Sequence, residues 1–559
     1  MFAHLSGSAR SNWFPWAIAA GVAGLHGFVA CVLLDPDTLL SLDAAVKLLQ
    51  GKTLRATGWT SMVLPYPGAV VDPDYRYFPF LAPFAFRTGQ EWHGIFPTAV
   101  ALVNATVVGF GTRGVVLLSV AGSGLTMAAS AYLSTGPSRA LAPALLGLAT
   151  CFWFYAVLPW EHVPAAALST IAFALALRGR TLRRMIGAGL LLGCAAVLRD
   201  ESLLLLPGLV WAVVRRHTGV RSRVAAVVAA CILPVVLAGM VDALYGRPGA
   251  AHLRHAIDPF RWVAGANASE LPQIGHMPLS ERYDVLMHEW LLGFRGSAQS
   301  LLLVGALFAV ALAQRWQSGA AVTLVVVCLV LGQHARDLHS LLRHPDLVPG
   351  LLRLSPFLIF AVLPAASTPH TPGSRSTLLL SAGMYLAGML LLVNTTGGAS
   401  LGPRLLIPIL PLIVVAAWEG LESYRTARCR GVEFGMVWLV GVLLLVGSAA
   451  MQAGVAARAY IAFNASERQA VGWLKESSDP IVVDSTFTVS VAAPVYDQRL
   501  VFLAQDHFQA SELARTLAAR GFRSLLLVSR EQQQRLGFQP FRLAGTRRTR
   551  QTVVQRWTR

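Results

Sequence analysis

Five aspartates, Asp35, Asp37, Asp43, Asp72 and Asp74, fall between Leu34 and Trp92 in a chain of which only 13% is charged. The first three follow directly on a long apolar stretch, which puts them at the edge of a bilayer. Carboxylates held there are costly and mark functional positions more often than decoration. The chemistry open to them is acid–base work, and for Asp72-Pro73-Asp74 either turn formation or a metal pair. Further along, Glu161-His162, Arg199-Asp200-Glu201 and Gly402-Pro403-Arg404 interrupt otherwise apolar sequence. The pattern points to a membrane enzyme whose site is built by the loop 35–93.

The elements that must position these groups follow from the hydrophobic pattern. Helical spacing sets Asp43 among Leu39, Leu40, Ala44 and Val46, so a short amphipathic helix would hold its carboxylate at the membrane surface. Trp59, Tyr66, Tyr75, Tyr77 and Phe78 then give a composition suited to the headgroup layer. Apolar runs predict about 13 spans, at 13–34, 114–134, 140–158, 163–177, 185–198, 202–214, 224–245, 298–313, 320–332, 350–366, 377–394, 402–418 and 432–453. Residues 13–34 read as a retained first helix, because no small-residue cleavage site follows them.

Arginine clusters set the orientation. Arg178, Arg180, Arg183 and Arg184, then Arg215, Arg216, Arg221 and Arg223, then Arg425, Arg428 and Arg430, are expected in the cytoplasm. With Ile95–Gly111 as a juxtamembrane or re-entrant helix, the loop after Leu34, the Pro159–His162 turn, Arg199–Glu201, loops 246–297 and 333–349, and Gly397–Arg404 share the exoplasmic face. Loop 246–297 (His252, His255, His276, His288, Asp258, Glu270, Glu289) matches no zinc signature and reads as a cover over the site. Loop 333–349, with His334, Arg336, Asp337, His339, Arg343 and His344, reads as a second lid.

Composition excludes several classes. Hydrophobic residues make up 55% of the 559 residues, and mean hydropathy is +0.56. The chain is therefore a polytopic protein of the inner or plasma membrane, surrounded by lipid. The formal charge of +18 comes largely from arginine-rich loops, and no basic stretch interleaved with aromatics suggests nucleic acid. The six cysteines contain no CxxC pair, so neither disulfides nor a cysteine metal site is indicated. After Gly454 the composition becomes that of a soluble domain. Ile481–Asp484, Arg499–Leu503 and Arg523–Val528 read as strands, and Ser511–Arg520 as a helix with Ser511 near its N-cap. The expected architecture is thus an all-α polytopic membrane domain over 1–453, then a small α/β domain over 454–559, placed exoplasmically.

Four stretches together resemble the GT-C glycosyltransferases, a superfamily that includes protein O-mannosyltransferases and the aminoarabinose transferases of lipid A. They are SLDAAVKLLQGKTL (Ser41–Leu54), PWEHVPAAAL (Pro159–Leu168), AAVLRDESLLLLP (Ala195–Pro207) and GGASLGPRLLIPILPLI (Gly397–Ile413). The resemblance implies transfer of a sugar from a polyprenyl-phosphate-linked donor to a lipid, glycan or protein acceptor outside the cytoplasm, as in cell-envelope assembly. Such chemistry needs a base for the acceptor's proton and a cation for the departing phosphate. Asp43 is the candidate base, with Asp37 as the alternative, because Leu42 stands where many family members carry an Asp-Glu pair. Arg404 and Arg199 are the candidate phosphate partners, since a guanidinium fork binds two oxygens. Glu161 would orient the acceptor or shape the surroundings of Asp43. His162 would bond a phosphate or sugar hydroxyl, and Glu201 and Tyr66 complete the expected substrate contacts. Inversion at the anomeric carbon is also implied by the resemblance.

Each residue also has a plain reading: solvated helix exits for Asp35 and Asp37, a local charge cluster for Arg199–Glu201, a snorkelling side chain for Arg404. Three rival functions remain beside the transferase. An O-antigen-type polymerase or ligase would typically lack the acidic loop after the first helix. A secondary transporter of an envelope precursor would show internal repeats. A non-enzymatic assembly protein would not need its carboxylates.

Overall fold

The computed structural model describes residues 13–81, 84–89, 91–134, 139–216, 219–247, 277–292, 319–343, 350–363, 365–366, 374–393, 403–530 and 536–559. Helix α1 (Phe14–Phe28) starts with Pro15 in its first turn and continues as a π-helical turn to Leu33. The chain then turns into α2 (Leu42–Ala56), whose N-cap Ser41 accepts a hydrogen bond from the Ala44 amide. Asp43 in the first turn and Arg55 in the last both suit the helix dipole. All residues from Leu42 to Gly51 are buried. The expected surface helix is therefore a packed internal one, and a charged side chain on it must find partners.

Strands β1 (Ala85–Thr88) and β2 (Glu91–Gly94) form an antiparallel pair beside α2. Next comes α3 (Thr98–Val107), which leads through a 3-10 turn to Gly111 at φ 71° and then to α4 (Gly111–Leu133). The left-handed glycine breaks the run, so Ile95–Gly111 is not part of a straight span. A Cβ on Gly51 of α2 would sit 2.7 Å from Asn104 Cβ of α3, so only glycine permits this approach.

The membrane domain continues with α5 (Leu141–Leu148), α6 (Phe152–Ala156), α7 (His162–Arg178), α8 (Leu182–Leu198), α9 (Leu206–Arg216) and α10 (Val220–Leu244). After it come α11 (Gly319–Arg343), α12 (Ser374–Leu392), α13 (Leu410–Ala427) and α14 (Val432–Ala450). The last runs through a π-helical turn into α15 (Ala457–Glu476) without a break at Gly454. Among the described residues, six helical runs are long and apolar enough to cross a membrane, and α7 is a shorter apolar one.

Several expected spans are fragmented, each for a local reason. Residues 140–158 divide at Thr150, whose hydroxyl bonds the Leu146 carbonyl and accepts from the Phe152 amide. Residues 350–366 form only Leu351–Leu354 and a 3-10 segment from Pro356 to Ala361. Around Pro403 and Pro408 the backbone stays in turns, and α13 begins only at Leu410, with Pro411 in its first turn. The predicted span 298–313 lies outside the described residues. The 333–349 lid is, as far as Arg343, the end of α11, with His334 buried. In loop 246–297, residues 248–276 and 293–297 are outside the described residues, whereas His288 and Glu289 sit in a π-helical turn after a helix at Leu279–Asp284.

The C-terminal part is a five-stranded sheet in the order β4-β3-β5-β7-β6. Its strands are β3 (Ile481–Val483), β4 (Val501–Leu503), β5 (Ser524–Arg530), β6 (Arg542–Arg548) and β7 (Thr552–Thr558). The first three are parallel, with β3 and β4 fully apolar and β5 apolar at its centre, as strands covered on both faces should be, while β7 and β6 add antiparallel. Helix α16 (His507–Ala519) starts earlier than expected, because Asp506 rather than Ser511 is its N-cap, accepting from Gln509 N at 2.8 Å. The domain docks on the first loop. Leu503 N bonds Tyr77 O at 2.9 Å, Tyr496 Oη bonds Pro65 O at 2.7 Å, and Lys52 of α2 pairs with Asp497 at 2.6 Å.

Candidate active site

Four segments far apart in sequence bring six charged side chains together: Asp43 and Lys47 from α2, Glu161 from the turn before α7, Arg199 and Glu201 after α8, and Arg404 before α13. Lys47 lies one helical turn beyond Asp43, on the same face of α2. Its Nζ donates to Glu161 Oε1 at 2.8 Å and stands 4.4 Å from the centre of the Phe96 ring. Arg199 Nη1 donates to the same Glu161 oxygen at 2.9 Å, and its other nitrogens bond Glu201. Arg404 Nη1 donates to Asp43 Oδ2 at 2.6 Å. Trp160 stands against both cations, its ring centre 5.7 Å from the Arg404 guanidinium and 6.0 Å from Lys47 Nζ.

Three carboxylates thus face three cations, and the set is balanced while almost entirely removed from water. Ionised groups tolerate such burial only when paired and hydrogen-bonded. Burial alone would raise the Asp43 carboxyl, but the charges of Arg404 and Lys47 outweigh it and hold the group below the usual aspartate range. Glu161 behaves alike: burial opposes ionisation, yet Lys47 and Arg199 bring it down to about 2. Lys47 is pulled below the ordinary lysine value by burial, against the pull of Glu161 and Asp43. Arg199 is driven upward despite burial by Glu201 and Glu161.

Not every polar atom here is satisfied. Glu161 Oε2, both ring nitrogens of His162, Trp160 Nε1 and Arg404 Nε are buried without a hydrogen-bond partner among the described residues. Buried polar atoms are normally paired, so this concentration marks a place for a polar ligand. Adjoining it is a small, mostly apolar cleft of about 20 Å³ between α3, α4 and the 159–161 turn, lined by Val100, Val103, Leu118, Trp160 and Glu161.

Of the residues singled out in the sequence, Asp43, Glu161, His162, Arg199, Glu201 and Arg404 come together here. Asp37 does not join them: it is half-exposed, accepts from Thr112 Oγ1 at 3.0 Å and faces Lys475 at 3.4 Å. Tyr66 is a packing residue between the loop and the C-terminal domain. Its hydroxyl donates to Asp72 Oδ2 at 2.7 Å, and its ring meets Tyr75, Phe78 and Phe502. Asp72 also accepts from the Arg76 and Tyr77 amides, so its oxygens hold a turn, while Asp74 is exposed beside Arg76. No group of three or more possible metal ligands occurs among the described residues. Of Gly397–Arg404, residues 397–402 lie outside the described residues.

Lys47 is the member that sequence reasoning left without a role. The one signal in the sequence was its position one turn from Asp43 on α2, and its burial is seen only in the fold.

No protein-family profile matches the chain, and no curated protein matches it. Among solved structures it is similar to ArnT from Cupriavidus metallidurans bound to undecaprenyl phosphate, at 13% identity and a TM-score of 0.45 over 97% of each chain. For the apo state of the same protein, identity is 13% and the TM-score 0.45, over 98% of each chain.

Proposed function

We propose that this protein is a membrane glycosyltransferase that moves a sugar from a polyprenyl-phosphate donor to an acceptor hydroxyl or amine on the exoplasmic face. The observation that carries the reading is the Arg404–Asp43 contact of 2.6 Å within a buried, charge-balanced cluster. It puts a proton acceptor beside a guanidinium able to receive phosphate.

In the step proposed, Asp43 accepts the proton of the acceptor group as its heteroatom bonds to the anomeric carbon. The bond from that carbon to the phosphate oxygen breaks, and its electron pair stays on the phosphate. The departing phosphate gains negative charge, which Arg404 stabilises with a bidentate fork. Glu161, clamped by Lys47 and Arg199, fixes the electrostatics around the reacting atoms. His162 and Trp160 offer their unpartnered nitrogens to sugar or phosphate oxygens. Compared with the transporter reading, transfer is favoured because the charged groups gather at helix ends beside a loop-built site rather than within broken helices.

The test is transfer of labelled sugar by purified protein, using synthetic polyprenyl-phosphate sugars and a cell-envelope extract as acceptor. Parental protein should transfer label from at least one donor, and Asp43→Asn should not. If Asp43→Asn, Asp37→Asn and Glu161→Gln all transfer at the parental rate, the mechanism is wrong.

A further inference from the structure

We propose that the Arg404–Asp43 pair is a latch: the donor phosphate takes Arg404 away from Asp43 and thereby releases the base. The inference rests on the transferase reading and concerns how that site is regulated. The cluster holds two kinds of ion pair. Lys47 and Glu161 are sealed, with side-chain exposures of 1% and 4%. Arg404 and Asp43 are more open, at 20% and 11%. A pair without access to water or ligand can only anchor the fold, whereas one at the edge of the cluster can change partner.

The exchange conserves charge. A phosphodiester monoanion replaces the carboxylate on the guanidinium, offering two non-bridging oxygens to a planar fork that now spends Nη1 on Asp43. A phosphate on the end-on Nη1/Nη2 edge takes Nη1 from Asp43, so that fork forms only as the pair opens. While the pair is closed, each member blocks the other: the carboxylate is committed to a cation and is a poor base, and the cation is unavailable to phosphate. After exchange the charges left near Asp43 are Lys47, one turn along α2, and Glu161, so the carboxylate regains basicity as the leaving group gains its stabiliser. Binding is then ordered, donor first, and water at the site is not activated beforehand.

A carboxylate that competes with the ligand reduces apparent affinity in proportion to the fraction of time the arginine is left free. Full-length protein in detergent, titrated with undecaprenyl phosphate and separately with undecaprenol, reads this directly. Asp43→Asn should bind the phosphate lipid roughly tenfold tighter than the parent, with undecaprenol binding unchanged. Asp43→Ser should behave the same, which guards against a peculiarity of one replacement. Arg404→Gln should lose the preference for phosphate over alcohol. Equal or weaker phosphate-lipid binding by both Asp43 variants overturns the latch and leaves the transferase reading standing. Failure of the parent and the Asp43 variants alike to prefer the phosphate lipid over undecaprenol overturns both. Inorganic phosphate matching the lipid in affinity would also overturn the proposal, since it assigns the exchange to a lipid-linked phosphate.

Discussion

Lys47 and Glu161, 114 positions apart, meet at 2.8 Å with both side chains almost wholly buried. Removing Lys47 takes away one of the two cations that hold the buried Glu161 carboxylate and leaves it to Arg199 alone. Lys47→Met should therefore cost about 3–5 kcal/mol of stability, read as a lower unfolding midpoint in detergent, with transfer activity falling in parallel. Adding Glu161→Gln to Lys47→Met should recover much of the stability but not the activity. Additive losses would mean the pair is not coupled.

Asp43→Asn is nearly isosteric but accepts no proton. Transfer should drop by about 10²–10⁴-fold, while expression stays parental. Asp43→Glu should retain little activity, because displacement by about 1 Å is enough to misplace the carboxylate. Asp37→Asn should stay within a fewfold of the parent, given that its partners are Thr112 and Lys475. Loss at Asp37 with full activity at Asp43 would move the base.

Arg404→Lys keeps a charge and loses the fork, so turnover should fall strongly with normal membrane insertion, and Arg404→Ala should fall further. Parental turnover in both would reduce Arg404 to an interfacial anchor and pass the phosphate role to Arg199.

Acid should unseat the cluster. Glu161 is held at about 2, against an ordinary 4.5, and Asp43 is also held low. Depressed carboxyls contribute stability that is fully present above the unfolded value and lost as pH falls through the folded one. The unfolding midpoint should decline from about pH 4.5 towards 2, and Glu161→Gln should flatten that decline.

Orientation is testable with side chains that are already exposed. Native Cys429 and a cysteine at Arg180 should react from the cytoplasmic side, and a cysteine at Asp497 from the other. Labelling of positions 429 and 497 from one side would break the assignment of the site to the exoplasmic face.

Much of the site was legible because acids and arginines at the ends of apolar runs are conspicuous. Asp43, Glu161, Arg199 and Arg404 stood out for that reason, and the structure joins them. Lys47 did not stand out, since a single lysine in a helix reads as a solvated side chain until the burial of the whole helix is known. Asp72 holds the turn that Asp72-Pro73-Asp74 suggested, while the Tyr66 hydroxyl, expected among the substrate contacts, is spent on Asp72 inside the loop. The apolar strands β3, β4 and β5 could be read, while β6 and β7 could not. Arg542, Arg547, Arg548 and Arg556 mask their alternation, and a charged, exposed edge strand of this kind guards a sheet against unwanted pairing. Span boundaries were blurred where proline or a threonine side chain breaks the helix, which hydropathy averages over.

The docking of α2 against the C-terminal domain fixes when the protein can begin to work. The helix carrying Asp43 and Lys47 leaves the ribosome early, whereas Tyr496 and Leu503, which hold its loop through Pro65 and Tyr77, are translated several hundred residues later. Until then the two charges wait beside a half-built wall.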